Sequence, residues 1–192
     1  MYNNIILDKL PLYTPDGLKI RTNFRESIKF ELVMQDRDIS DENKIKMALN
    51  LYYCEPQKIQ NIEQAIKNIL WFYKCGKEDK NVDKYNEENN IKNKQIYSYE
   101  FDAEYIYSAF MEQYNIDLNN IEYLHWWKFK ALFLGLSENV LFTKIMGYRA
   151  MNLSKIKDKE MKKHYKKMQK IYALPDMRSE EEKENDFAEA FS

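Results

Sequence analysis

Apolar residues recur every three or four positions along most of the chain, which is the spacing of one face of an α-helix. One such run consists of Ile59, Ile62, Ile66, Ile69, Leu70 and Tyr73. Another consists of Met161, Tyr165, Met168 and Tyr172. Only four glycines and four prolines occur in 192 residues, so the chain lacks the frequent turns that a many-stranded fold needs. The pattern predicts a mainly α-helical protein.

The early part of the chain contains one clear turn signal, Thr14-Pro15-Asp16-Gly17. Proline presets the backbone angle φ for such a turn, and glycine tolerates the positive φ that it requires. The flanking residues 10–13 and 18–21 alternate apolar and polar side chains. We therefore expect a small N-terminal β-hairpin.

Residues with capping side chains predict where the helices begin. In the first part of the chain we expect helices after Thr22 or Asn23, after Ser40, and over residues 58–74, with Gly76 ending the third. In the second part, Asp102 and Ser137 are each positioned to cap a helix. Two further helices are expected over residues 121–134, capped by Asn119 or Asn120, and over residues 154–174.

These elements predict a multi-helix bundle of two helical lobes. Residues 1–76 form the hairpin and a three-helix lobe, and residues 98–175 form a second helical lobe. Residues 77–97 are rich in Lys, Glu and Asn and predict a solvated linker. Residues 176–192 form an acidic tail.

Charge and composition exclude several classes of protein. Thirty Lys and Arg residues balance 31 Asp and Glu residues, for a net charge of −1, so no overall charge favours nucleic acid or a membrane surface. The apolar runs are too short to span a bilayer, and no signal peptide is recognisable at the N-terminus. The isolated glycines form no phosphate-binding loop. We expect no membrane association.

Candidate catalytic or metal-binding residues are few. His125 and His164 are the two histidines, and neither has a nucleophile or a second metal ligand at a suitable spacing. Cys54 and Cys75 lack the spacing of a zinc site or of a disulfide framework. The sequence therefore predicts no catalytic, metal-binding or cofactor-binding residues, and a structural role for His125.

Aromatic residues are the best candidates for contacts with a partner protein. Trp126 and Trp127 are adjacent, so on a helix their side chains point about 100° apart. One is expected in the core, and the other is a candidate for a partner contact, although core packing of both is the simpler interpretation. The candidate partner-binding residues are Trp126, Trp127, Phe129, Tyr105 and Tyr148.

A basic segment precedes the acidic tail. Residues 155–170 contain eight lysines and two carboxylates, a net +6, whereas residues 176–192 contain seven carboxylates and two basic residues, a net −5. The candidate basic face consists of Lys155, Lys159, Lys162, Lys163, Lys166 and Lys167. Because arginine is absent there, a solvated helix face partly neutralised by the tail is favoured over a nucleic-acid site.

A distinctive combination of motifs lies in residues 101–149: FDAEYIYSAF, YNIDL, LHWWKFKALFLGL and FTKIMGYR. This block resembles the bacteriophage gene-product-fifteen family of phages and prophages of Gram-positive bacteria. The early GLKIRTNFR and the late KMQKIYALP also fit, so the resemblance covers roughly residues 5–175.

The resemblance implies a non-enzymatic tail assembly chaperone that covers the tape measure protein in the host cytoplasm and is absent from the mature virion. A second tail assembly chaperone or the tail-tube protein is a further expected partner, and the oligomeric state stays open. Two alternatives remain: a nucleic-acid-binding phage protein that uses the basic helix, and a permanent structural component of the tail.

Overall fold

The computed structural model of the protein describes residues 4–77 and 95–176. The predicted linker and acidic tail fall almost entirely on residues 78–94 and 177–192, outside the described residues. Within the described ranges the protein is mainly helical, as predicted. None of the helices there is long and apolar enough to cross a membrane.

Seven α-helices and two short 3-10 turns lie in the described ranges. The helices are α1 (Phe24–Gln35), α2 (Asp41–Tyr52), α3 (Ile62–Tyr73), α4 (Ala103–Tyr114), α5 (Trp126–Leu134), α6 (Leu141–Ala150) and α7 (Lys159–Ile171). The 3-10 turns are Pro56–Lys58 and Leu153–Lys155.

Side-chain caps set the starts of several helices. Asn23, one of the two predicted residues, caps α1. Asn61 and Asp158 cap α3 and α7, because their side-chain oxygens accept hydrogen bonds from N–H groups of the first turn. Both helices begin later than the predicted residues 58 and 154, since the 3-10 turns occupy those positions.

The predicted N-terminal β-hairpin is not shown by the described residues. The flanks of the turn pair at a single antiparallel bridge, between Tyr13 and Lys19. The next residue, Ile20, pairs instead with Tyr53 at the end of α2. Two paired strands therefore do not form.

The helix predicted over residues 121–134 begins at Trp126 instead. Asp117 Oδ1 accepts hydrogen bonds from the N–H groups of the two predicted capping asparagines, at 2.9 and 3.1 Å. This turn places the following residues in an extended path, in which His125 pairs with Asn23 at the entrance of α1. Backbone pairing with α1 thus replaces the first turns of the predicted helix.

Phe129 of α5 lies at the centre of the buried core. Its ring stacks on Phe24 of α1 and Phe110 of α4, at centroid distances of 4.9 and 5.1 Å. It also stacks on Trp126, at 5.6 Å. A single buried cluster therefore contains residues from both predicted lobe segments, 1–76 and 98–175.

An ion pair between Asp102 and Arg149 is buried where α4 begins and α6 ends. Arg149 Nη1 and Nη2 donate to the two Asp102 carboxylate oxygens at 2.6 and 2.8 Å. Arg149 also donates to the carbonyls of Ile96 and Tyr172, and the Ser98 N–H donates to Asp102. Asp102 occupies the predicted N-cap position, but its side chain bonds Arg149 instead of capping α4.

We predict that Arg149→Met lowers the free energy of unfolding by about 3–5 kcal/mol, because it leaves the Asp102 carboxylate buried without its counter-charge. The double variant with Asp102→Asn removes both charges and should recover part of the loss. Urea unfolding followed by tryptophan fluorescence measures both effects. A loss below about 1 kcal/mol in Arg149→Met would contradict a structural role for the pair.

Candidate functional site

The structure places three of the predicted partner-binding residues in the core. Trp126, Trp127 and Phe129 are 0%, 3% and 0% exposed. In this conformation their side chains are inaccessible to a partner, so the interpretation in which one indole faces outward does not hold. Both indoles are core residues, which was the simpler of the two interpretations.

Both indoles are buried against the C-terminal end of α3, where their N–H groups donate to backbone carbonyls. Trp126 Nε1 donates to the Tyr73 carbonyl and Trp127 Nε1 donates to the Phe72 carbonyl, each at 2.8 Å. The last carbonyls of a helix have no intrahelical donor. Trp126 supplies such a donor to Tyr73, on which its ring also stacks at 5.3 Å. The Phe72 carbonyl accepts from Trp127 and also from the Cys75 N–H, the latter at 3.0 Å.

His125 has a structural role in the described chain. Its Nδ1 accepts a hydrogen bond from the Trp127 N–H at 3.1 Å and caps α5. Its Nε2 lies 3.0 Å from the Pro11 carbonyl. Since Nδ1 accepts and a carbonyl cannot donate, the imidazole is the neutral tautomer with its proton on Nε2. Burial lowers the pKa of His125 and favours that neutral form.

The other two predicted partner-binding residues lie apart from the tryptophan pair, against the last helix. Tyr148 is half-buried and stacks on Tyr172 at a centroid distance of 6.0 Å. Tyr105, also half-buried, meets the edge of the same ring at 6.3 Å. These rings hold α7 against α4 and α6.

The two cysteines are free thiols, each half-buried. Burial raises the pKa of Cys75 to about 11, so its thiol stays protonated and weakly nucleophilic at neutral pH. The described ranges contain no group of three or more His, Cys, Asp or Glu side chains able to hold a metal ion.

An open apolar groove of about 520 Å³ lies between α1, α4 and the turn that precedes α5. Its apolar lining consists of Ile28, Tyr99, Ala103, Ile106, Leu118 and Phe129. Glu104 and Asn119 add polar groups to the lining, and Tyr107 completes it. Apart from Phe129, sequence reasoning missed this site. Of the aromatic residues that line it, Tyr107 is exposed, at 38%, and nothing in the local sequence distinguishes it from the buried ones.

Hydrogen bonds hold the wall of the groove formed by the turn. Arg25 Nη2 donates to the carbonyls of Leu118 and Ile121 at 2.9 and 2.8 Å. Because hydrogen bonds from α1 fix this turn, the groove is largely pre-formed, as small binding clefts usually are.

The predicted basic face is a second accessible surface. Lys155 precedes α7, and Lys159, Lys162, Lys163, Lys166 and Lys167 lie on it; all six are exposed. Within the described ranges none of them lies within ion-pair distance of a carboxylate. The opposite side of α7 packs against α6, and Gln169 donates to the carbonyls of Tyr148 and Met151.

We predict that His125 makes stability depend on pH. The folded pKa lies below the usual value of about 6.5, so the unfolded chain binds a proton more readily than the folded chain. The contribution is complete above pH of about 6.5 and is lost as the pH falls through the folded pKa.

The variant His125→Asn keeps a side-chain acceptor at the cap but has no titrating ring. We expect the wild-type protein to lose more unfolding free energy than this variant between pH 7.5 and 5.5, as measured by urea unfolding. His164 is present in both proteins, so any contribution it makes to the pH dependence is the same in both and does not affect the comparison. Equal pH dependence in the two proteins would rule out the assigned role.

A family model described as Bacteriophage Gp15 protein matches residues 6–174 of the chain. No curated protein and no solved structure matches this chain. The matched range contains all seven described helices, the residues that line the groove and the basic face.

Proposed function

Because the chain belongs to the Bacteriophage Gp15 protein family, we propose that it is a non-enzymatic phage tail assembly chaperone that binds the tape measure protein. It acts in the cytoplasm of the host bacterium and is absent from the mature virion. A further partner is a second tail assembly chaperone or the tail-tube protein, which also binds the tape measure protein or replaces this protein on it.

The apolar groove is the observation that carries this proposal. A long helical client exposes apolar stripes that aggregate in water unless another protein covers them. An amphipathic helix binds a groove through side chains at positions i, i+3 or i+4, and i+7. The groove offers Ile28, Leu118 and the exposed ring of Tyr107 to such a stripe. Its walls are already held in place, which lowers the entropy cost of binding.

The basic face favours a second candidate, a nucleic-acid-binding protein. Exposed lysines without carboxylate partners attract phosphates, and binding of this kind weakens steeply as salt increases. Binding of an apolar stripe in the groove depends mainly on buried apolar area and depends weakly on salt. The salt dependence of complex formation therefore separates the two candidates.

We predict that Ala103→Glu weakens binding of the tape measure protein at least about tenfold, because it places a carboxylate in the apolar wall of the groove. Position 103 is exposed and opens α4, so a negative charge there suits the helix dipole and should preserve the fold. Ser108→Glu is the matched control: it adds the same charge to an exposed position of α4 that does not line the groove.

The measurement is co-expression of each variant with the tape measure protein of the same phage, followed by affinity purification and quantification of the complex. We expect recovery with the wild-type protein and with Ser108→Glu, and loss with Ala103→Glu. Equal recovery with all three would place the contact outside the groove. No complex with the wild-type protein, when both proteins are folded, would reject the chaperone function.

A further inference from the structure

The lysine side of α7 forms no ion pair within the described part of the chain, and Glu160 is the one carboxylate on the helix. Lys159, Lys162, Lys163, Lys166, Lys167 and Lys170 recur at spacings of three and four residues. Side chains so spaced are neighbours on a helix, and like charges at this spacing destabilise it. No residue of α7 is fully buried, and only three are half-buried, so packing offsets only part of this repulsion. An acidic partner on this side would stabilise the helix.

The chain itself carries a segment with the required charge. Residues 177–192 contain six carboxylates and two basic residues, a net −4. They follow α7 closely, because the helix ends at Ile171 and the described chain ends at Asp176. Sixteen extended residues span up to about 53 Å, whereas a helix of 13 residues is about 20 Å long. The segment is long enough to return along the whole lysine side.

We propose that residues 177–192 dock through their carboxylates on the lysine side of α7. An attached segment has a high effective concentration at a site within its reach. It therefore competes with polyanions of the cell, such as nucleic acid, for the same lysines. This docking screens the lysines of α7 from the phosphates of nucleic acid. It does not depend on whether the protein binds a tape measure protein.

The test compares the wild-type protein with a full-length variant whose tail is neutral. The variant combines Glu180→Gln, Glu181→Gln, Glu182→Gln, Glu184→Gln, Asp186→Asn and Glu189→Gln, which keeps the length of the tail and removes its carboxylates. Backbone amide chemical shifts of α7 are measured for both proteins at 25 and 500 mM NaCl. We expect the α7 shifts to differ at low salt and to converge at high salt, where charge attraction is screened.

Coincident α7 shifts of the two proteins at 25 mM NaCl would overturn the docking. Shift differences confined to residues 172–176, next to the substituted segment, would overturn it as well. Differences that persist unchanged at 500 mM NaCl would reject charge attraction as its cause.

A second measurement tests the screening. Fluorescence anisotropy with a 20-base-pair DNA duplex at 50 mM NaCl should give an affinity at least about tenfold higher for the neutral-tail protein than for the wild-type protein. Adding Lys162→Gln, Lys163→Gln, Lys166→Gln and Lys167→Gln to the neutral-tail protein should abolish the gain.

The matched control adds Lys29→Gln, Lys46→Gln, Lys58→Gln and Lys67→Gln, four lysines outside α7 that form exposed local ion pairs. It should leave the gain largely intact. Equal DNA affinity of the wild-type and neutral-tail proteins would overturn the screening, as would a gain that the control removes to the same extent.

Discussion

The packing of the described chain depends on two indole N–H groups at the start of α5. Trp126 and Trp127 donate to the last two carbonyls of α3, which have no donor four residues later within the helix. The Phe72 carbonyl also accepts from the Cys75 N–H, whereas the Tyr73 carbonyl depends mainly on Trp126. Together the two indole hydrogen bonds fix the start of α5 against that end of α3. Their position places Phe129 three residues later, where it stacks on rings of α1 and α4.

This use of the aromatic residues determines where binding surfaces remain. Since the indoles and the Phe129 ring lie in the core, contact with a client falls to the groove that borders it. Arg25 and Asp117 hold that groove open through the turn between them. Helix α7, which carries the lysines, lies at the periphery. Arg149 donates both to the Tyr172 carbonyl at the end of α7 and to the buried carboxylate of Asp102. The two surfaces differ in chemistry: one is apolar and pre-formed, and the other is charged and forms no ion pair within the described residues.

Sequence reasoning succeeded for features that depend on near neighbours and failed where distant backbone groups compete. The helix after Ser40 and the cap at Asn23 were predicted correctly. The start of α5 was predicted too early, because residues before Trp126 pair with the entrance of α1. The prediction of an N-terminal hairpin failed for a similar reason. Ile20 lies in a segment that alternates like a strand, but its backbone pairs with Tyr53 at the end of α2.

The sequence by itself determined the helical class, several helix ends, the segregation of lysines on α7 and the resemblance to the phage family. Periodicity and capping act over three or four residues, so they can be recognised along the chain. Only the tertiary structure decided that both indoles are buried, that His125 caps a helix and that a groove opens beside Phe129. The indoles bind carbonyls 53 and 55 residues earlier in the chain, and local spacing contains no information about partners at that distance.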